Sequence, residues 1–156
     1  MKNIKNKAVF LDRDGVLNED IGYLFRIEDF KLKEEIVPLL KNYQKEGYLL
    51  IVITNQSGIA RGYYTDDDFY KLNSWMINFF DKKGIKITKT FYCPHHPDHS
   101  GMCNCRKPKP GMILNAIDEY NIDPSKSILI GNKKSDILAG EHAQIAKNFY
   151  IHELLS

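Results

Sequence analysis

The sequence predicts an α/β fold in which a parallel sheet is flanked by helices. Short apolar runs, at residues 8–11 and 48–53, are typical of parallel strands that are covered on both faces. They alternate with segments whose apolar residues recur at helical spacing. Polar clusters follow several of these runs directly, as expected where the carboxyl ends of parallel strands open into ligand-binding loops.

The first half of the chain contains two predicted strands and two predicted helices. Residues 8–11 form the first strand, residues 34–46 a helix, and residues 48–53 the second strand. Thr65 can cap the next helix, because its hydroxyl can accept a hydrogen bond from an amide of the first turn. The apolar face of that helix consists of Phe69, Leu72, Met76, Phe79 and Phe80.

The second half continues the alternation. Strands are predicted near residues 87–92, at 127–130 and around Phe149, and helices near residues 112–120 and 136–143. We therefore expect one domain over residues 1–156. The predicted elements fill the gaps between the polar clusters and leave no room for a separate cap domain.

Composition limits the possible partners. The 22 Lys and Arg residues nearly balance the 20 Asp and Glu residues, and the basic residues are scattered, so nucleic acid is not an implied partner. The apolar run at residues 8–11 is too short for a signal peptide or a membrane helix. We expect a cytoplasmic monomer without a membrane partner.

Two carboxylates lie two residues apart at the end of the first predicted strand. Asp12 could attack phosphorus while Asp14 donates a proton to the departing alkoxide. An anionic nucleophile needs Mg²⁺ and a lysine to approach a phosphate, and Lys107 and Thr54 are candidates to hold the transferring group. A simple turn is the alternative interpretation. A calcium EF-hand fits less well, because Gly15 comes too early and a strand precedes the loop.

The three cysteines lie in one loop, which suits metal binding better than a disulfide framework. Three thiolates and one imidazole make the closed tetrahedral set of a structural Zn²⁺ site, and the predicted ligands are Cys93, His95, Cys103 and Cys105. His96 and His99 are rival donors, and reduced free cysteines are the alternative. A zinc site here would orient Arg106 and Lys107, which follow the last cysteine directly.

Four segments, in order, resemble one known family. Residues 10–16 (FLDRDGV) resemble the first motif of HAD superfamily phosphatases, and residues 53–62 (ITNQSGIARG) resemble the second motif of one branch. Residues 93–97 (CPHHP) and 103–112 (CNCRKPKPGM) are similar to a zinc loop that runs into the third motif. The branch is the D-glycero-D-manno-heptose 1,7-bisphosphate 7-phosphatases, with histidinol-phosphate phosphatase domains as nearest relatives.

The resemblance implies a HAD-like Rossmannoid fold and a role for each matching residue. It implies Asp12 as the nucleophile, Asp14 as the acid/base with its backbone carbonyl on Mg²⁺, and Thr54 and Lys107 as residues that hold the phosphoryl group. Arg106 would recognise the far end of the substrate.

Further substrate contacts are implied on two stretches, although packing at Tyr23 and a simple turn after Asn55 are alternatives. The residues are Asp20, Ile21, Gly22, Tyr23, Asn55, Gln56 and Ser57.

The fourth motif departs from the family pattern. The family usually has Gly-Asp, whereas this chain has Gly131 followed by Asn132. The implied Mg²⁺ ligands are Asp12, Asp14, Asn132 and Asp136. An amide oxygen coordinates without charge, so we expect weaker Mg²⁺ binding unless Asp136 is a direct ligand. Asp136 could instead be a carboxylate at a helix N-terminus.

Residues 57–62 follow the heptose type of the second motif. The resemblance therefore implies removal of the 7-phosphate of D-glycero-D-manno-heptose 1,7-bisphosphate through a phospho-aspartate, in the synthesis of ADP-heptose for surface polysaccharide. Two alternatives stay open. One is a phosphatase for histidinol phosphate or another small phosphomonoester, and the other is a phosphosugar-binding protein that has lost turnover through Asn132.

Overall fold

A computed structural model describes residues 4–155 of the chain, and residues 1–3 and 156, the ends of the expected domain, lie outside the described residues. Five strands form one sheet: β1 (Ala8–Leu11), β2 (Leu49–Asn55), β3 (Ile87–Cys93), β4 (Ile128–Gly131) and β5 (Lys147–Tyr150). The strand order is β3-β2-β1-β4-β5, and every neighbouring pair is parallel. The predicted parallel sheet is confirmed. β2 continues through Thr54 and Asn55, because both pair with β3.

Six α-helices accompany the sheet in the described part of the chain: α1 (Ile36–Lys45), α2 (Asp66–Asp81), α3 (Pro97–Ser100), α4 (Gly111–Tyr120), α5 (Lys134–His142) and α6 (Ile151–Leu154). The four predicted helices are present. The single turns α3 and α6 were not predicted, because four residues are too few for a periodic pattern. Among residues 4–155, no helix combines the length and the apolar character that crossing a bilayer requires.

The start of α2 is fixed by the predicted cap. The Thr65 hydroxyl accepts from the Asp68 amide at 3.1 Å, and the Asp68 carboxylate accepts from the Thr65 amide at 2.9 Å. This reciprocal pair satisfies two amides that would otherwise lack partners. The side chains of α2 that are buried are Phe69, Leu72, Met76 and Phe80.

Each face of the sheet is covered by helices. Successive side chains of a strand point to opposite faces, so Val9 and Leu11 pack with α1 and α2 while Ala8 and Phe10 pack with α4 and α5. All four of these side chains are fully buried. The apolar run of β1 is therefore explained by burial on both faces.

The central position of β1 brings the polar clusters together. Its neighbours are β2 and β4, and the Asp12 amide continues the pairing by donating to the Ile130 carbonyl at 3.1 Å. Since all the strands are parallel, the carboxyl ends of β1, β2 and β4 meet at one edge of the sheet. Asp12, Thr54 and Asn132 lie at this edge.

Candidate active site

A buried lysine connects three segments at the carboxyl edge of the sheet. Lys107 Nζ donates to Asp12 Oδ1 at 3.0 Å and to the Ile53 carbonyl at 3.0 Å. It also lies 2.5 Å from Asp136 Oδ1. These contacts use all three ammonium protons. Lys107 therefore ties the ends of β1 and β2 to the first turn of α5.

Burial and neighbouring charges shift the pKa values of this cluster. Burial raises the pKa of Asp12 to about 7, although Lys107 opposes the shift and Asp136 and Asp14 add to it. Burial alone would lower the pKa of Lys107, but the carboxylates of Asp12 and Asp136 outweigh it, so that pKa lies above its ordinary value. The lysine therefore stays charged beside the candidate nucleophile.

Asn55 fixes the segment that carries Lys107. Its side-chain oxygen accepts from the Lys107 amide at 3.0 Å, and its side-chain nitrogen donates to the Lys107 carbonyl at 3.3 Å. The amide of Asn55 thus pairs with protein backbone. Its implied contact with substrate stays a prediction.

Gln56 links Thr54 to Asp14. The side chain of Gln56 is 3% exposed, and its Nε2 donates to Thr54 Oγ1 at 2.8 Å and more weakly to Asp14 Oδ2 at 3.4 Å. The Tyr64 hydroxyl donates to Gln56 Oε1 and so fixes the orientation of the amide. The buried amide of Gln56 therefore holds Thr54 and Asp14 in position. The implied contact of Gln56 with substrate stays a prediction.

Asp14 is held by two neighbours on its own loop. Arg13 makes an ion pair with the Asp14 carboxylate at 3.0 Å, and Asn18 Nδ2 donates to Asp14 Oδ1 at 3.0 Å. Arg13 is 1% exposed and Asn18 is fully buried. The second carboxylate of the predicted pair is therefore fixed beside Asp12.

The fourth motif follows β4 and contains the predicted Mg²⁺ ligands Asn132 and Asp136. Asp136 Oδ2 accepts from the amides of Asn132 and Lys133 at 3.0 and 3.1 Å, so Asp136 caps the N-terminus of α5 while Oδ1 faces Lys107. The side chain of Asn132 packs on Gly15, where an added Cβ would collide with the amide. Asn132 Oδ1 is buried and has no hydrogen-bond partner among the described residues.

A small cavity of about 40 Å³ opens beside the two carboxylates. Ligand pockets commonly measure about 300–1,000 Å³, so this cavity is too small to hold a sugar. Its lining residues are Asp12, Asp14, Asn55, Lys107, Lys133, Ser135 and Asp136. A larger cavity of about 330 Å³ at the amino-terminal edge of the sheet contains none of the predicted site residues.

The implied substrate loop lies next to the carboxyl edge of the sheet, where Arg13 donates to the Leu24 carbonyl. The Gly22 amide donates to the Asp20 carboxylate at 2.9 Å, and Gly22 has φ +98°, a conformation that favours glycine. Ile21 and Tyr23 are exposed, and Tyr23 meets Tyr63 edge-on at 4.7 Å between ring centroids. The loop therefore exposes two large side chains, and its implied contact with substrate stays a prediction.

Ser57 and Arg106, the predicted substrate contacts of the second and third motifs, do not line this small cavity. The Ser57 carbonyl accepts from the Arg61 amide at 3.1 Å, within the turn that follows β2. Arg106 Nη1 donates weakly to the His95 carbonyl at 3.4 Å. No carboxylate within residues 4–155 lies within 4.0 Å of Arg106, so its charge is free to meet an anion.

The four predicted zinc ligands converge. All four donor atoms lie within 4.8 Å of one another. Cys93 Sγ lies 3.6 Å from both His95 Nδ1 and Cys103 Sγ, and Cys105 Sγ lies 3.5 Å from His95 Nδ1. The Sγ atoms of Cys93 and Cys105 are in direct contact, as in a disulfide.

The three distances of 3.5–3.6 Å suit a tetrahedral ion, whereas the contact between Cys93 and Cys105 is too short for two ligands of one ion. Zn–S bonds of about 2.3 Å and Zn–N bonds of about 2.0–2.1 Å place ligand atoms roughly 3.5–3.8 Å apart. A disulfide between Cys93 and Cys105 requires neither His95 nor Cys103, yet both side chains point into the same cluster. The donor set therefore fits Zn²⁺.

Sequence reasoning missed several residues of this site, among them Arg13, Asn18 and Tyr64. The signal for Arg13 was its position between two carboxylates at the end of a buried strand, where a cation can neutralise them. Asn18 and Tyr64 gave no signal, because only the folded loop and the turn before α2 bring them to Asp14 and Gln56.

Comparison with known proteins identifies the family. The family model for polynucleotide kinase 3 phosphatase matches residues 11–149. The D-glycero-beta-D-manno-heptose-1,7-bisphosphate 7-phosphatase of Haemophilus influenzae is 45% identical, over 94% of this chain and 82% of the relative. The D-glycero-alpha-D-manno-heptose-1,7-bisphosphate 7-phosphatase of Campylobacter jejuni is 47% identical, over 96% of this chain and 85% of the relative.

A solved structure agrees with this result. The D,D-heptose 1,7-bisphosphate phosphatase from B. bronchiseptica, complexed with magnesium and phosphate, superposes with a TM-score of 0.82 at 28% identity. The match covers 90% of this chain and 78% of that structure. The predicted resemblance and the HAD-like fold are confirmed. The chain is a HAD phosphatase and belongs to the D-glycero-D-manno-heptose 1,7-bisphosphate 7-phosphatase family.

Proposed function

We propose that this chain hydrolyses the 7-phosphate of D-glycero-D-manno-heptose 1,7-bisphosphate, in the cytoplasm, in the synthesis of ADP-heptose for surface polysaccharide. One observation carries the proposal: Asp12 directly follows the central strand, and its carboxylate accepts a hydrogen bond from the buried, charged Lys107. The names of the relatives support the choice of substrate.

The reaction has two steps that use the two carboxylates in turn. In the first, an oxygen of Asp12 forms a bond to phosphorus, the bond from phosphorus to the sugar oxygen breaks, and Asp14 gives its proton to that oxygen. In the second, the oxygen of a water molecule bonds to phosphorus and the water gives a proton to Asp14, the bond from phosphorus to Asp12 breaks, and inorganic phosphate leaves. Lys107 places positive charge beside the oxygens of the transferring phosphoryl group, and Thr54 holds the same group in position.

We propose that Mg²⁺ is bound by the Asp12 side chain, the Asp14 carbonyl, Asn132 and Asp136. When bound, the ion supplies charge that lets two anions approach each other. The unpaired buried oxygen of Asn132 fits this role. Both oxygens of Asp136 have protein partners, so its coordination requires that these contacts change.

Asn132→Asp is expected to raise the affinity for Mg²⁺, because a carboxylate replaces a neutral amide of the same shape. Titration of Mg²⁺ into the wild-type protein and the variant, followed by calorimetry, measures the change. Asn78→Asp is the matched control, because Asn78 is exposed on α2 and does not line the cavity. Equal affinities of wild type and Asn132→Asp would remove Asn132 from the ligand set.

We also propose that Zn²⁺ occupies the cluster of cysteines and His95 and pins the loop that ends in Arg106 and Lys107. Three thiolates and one imidazole leave no position for water, so the ion is structural. The free energy of zinc binding would stabilise the folded loop against unfolding.

Cys103→Ser is expected to reduce the zinc content from one equivalent to near zero and to lower the melting temperature. The cause is the loss of one of four ligands. Elemental analysis and thermal unfolding measure both quantities, and Met102→Ala, 76% exposed in the same loop, is the control. Zinc-free wild-type protein in which thiol titration finds Cys93 and Cys105 oxidised would contradict the proposal.

A comparison of substrates tests the proposed activity. Phosphate release is measured with the alpha and beta anomers of the heptose bisphosphate, with histidinol phosphate and with a 3′-phosphorylated oligonucleotide. We expect the highest kcat/KM for one heptose bisphosphate anomer. A higher kcat/KM for histidinol phosphate or the oligonucleotide would reject heptose bisphosphate as the substrate. The proposed phospho-aspartate mechanism would be unaffected. Tight binding without phosphate release at saturating Mg²⁺ would instead indicate a phosphosugar-binding protein.

A further inference from the structure

Arg13 lies between Asp12 and Asp14 in the sequence. Its side chain is buried, although a guanidinium is costly to bury without a partner. Its Nε donates to Asp14 Oδ1 at 3.2 Å, and its Nη2 donates to both Asp14 oxygens at 3.0 Å. Within residues 4–155, Asp14 is the only carboxylate within 4.0 Å of Arg13. The arginine is therefore dedicated to Asp14.

The donors around Asp14 are unevenly divided between its oxygens. Oδ1 accepts from Arg13 Nε, Arg13 Nη2 and Asn18 Nδ2, all at 3.0–3.2 Å. Oδ2 accepts one such bond, from Arg13, and a longer contact of 3.4 Å from Gln56. A carboxylate oxygen has about two lone-pair sites, so Oδ1 is saturated and Oδ2 has capacity left.

The same arginine reaches the substrate loop. One proton of Nη2 goes to the carbonyl of Leu24 at 3.1 Å, directly after residues 20–23, and the other is shared between the two oxygens of Asp14. Because one nitrogen bonds both the carboxylate and this carbonyl, Arg13 fixes the orientation of Asp14 relative to the loop.

We propose that Arg13 is a positioning residue that fixes the plane of Asp14 so that Oδ2 is the oxygen that exchanges the proton. The inference rests on the proposed role of Asp14. In the first step the proton leaves Oδ2 for the departing oxygen as the phosphorus–oxygen bond breaks. In the second, Oδ2 takes a proton from the water that attacks the phospho-aspartate.

A comparison of two leaving groups tests this role. Phenyl phosphate and p-nitrophenyl phosphate have similar shapes, but p-nitrophenolate departs without needing a proton. In Arg13→Lys, which keeps the charge and loses the planar fork, kcat/KM for phenyl phosphate is expected to fall about 100-fold, in the range of general acid catalysis. For p-nitrophenyl phosphate the expected change is within about 3-fold, because that ester needs no acid.

The controls separate this inference from the function on which it rests. Asp14→Asn should show the same selective loss, and Arg26→Lys, on the exposed surface, should show none. Equal losses on both esters in Arg13→Lys, or no loss, alongside a selective loss in Asp14→Asn, would overturn the role of Arg13. A nonselective effect in Asp14→Asn would reject Asp14 as the acid instead. Arg13→Met, with folding checked by thermal unfolding, repeats the test without the buried charge.

Discussion

Asp12→Asn is expected to lower the rate of phosphate release by about 10⁴-fold or more, the scale seen when an enzyme loses its nucleophile or its partner. Asparagine has nearly the same shape, so Arg13 and Lys107 keep their positions, but the amide is a poor nucleophile. The measurement is kcat with heptose bisphosphate at saturating Mg²⁺.

The fate of the phosphoryl group provides a second measurement for the same change. Acid-quenched wild-type enzyme should carry one extra phosphoryl group on the peptide that contains Asp12, and the variant should carry none. Thermal unfolding controls for folding. Undiminished turnover in a folded Asp12→Asn variant would exclude the phospho-aspartate.

Lys107→Met is expected to lower the free energy of unfolding by about 3–5 kcal/mol, the cost of removing one partner from a buried ion pair. The reason is that Asp12 and Asp136, 7% and 2% exposed, would face each other without a cation. The variant should also lose turnover, because Lys107 neutralises the phosphoryl oxygens. Urea unfolding and phosphate release measure the two effects.

Lys89→Met is the matched control. Lys89 makes an ion pair with Glu119 at 2.8 Å, but both side chains are 43% exposed, and such surface pairs contribute about 0–1 kcal/mol. Adding Asp136→Asn to Lys107→Met should recover part of the lost stability, because it removes one stranded charge. An unchanged urea midpoint in Lys107→Met would show that the buried cluster contributes nothing to the fold.

The sequence predicted the architecture well because the three central strands are apolar runs that are buried on both faces of the sheet. The apolar run of β1 and the capping residue Thr65 both act locally, and the structure contains the strand and the helix where they were expected. The one-turn helices α3 and α6 were missed, since a single turn has no apolar period. The end of β2 was misjudged by two residues, because pairing with β3 extends the strand.

The site was predictable where motif residues follow strands, and not where side chains meet through the fold. Asp12 and Lys107 could be paired by resemblance, and they are in contact. The bonds from Tyr64 to Gln56 and from Asn55 to the backbone of Lys107 join residues that no local pattern connects. The capping role of Asp136 was recognised as an alternative to metal binding, and the structure contains that cap.

Lys107 gathers groups that are far apart along the chain, since its partners include Asp12 and Asp136. A chain that has formed only part of its sheet cannot hold this ammonium, because Asp12, Ile53 and Asp136 are brought together only by the folded sheet and α5. Recovery of turnover after dilution from denaturant therefore requires that all of these segments have formed. Turnover would thus measure the fraction of the protein that is completely folded.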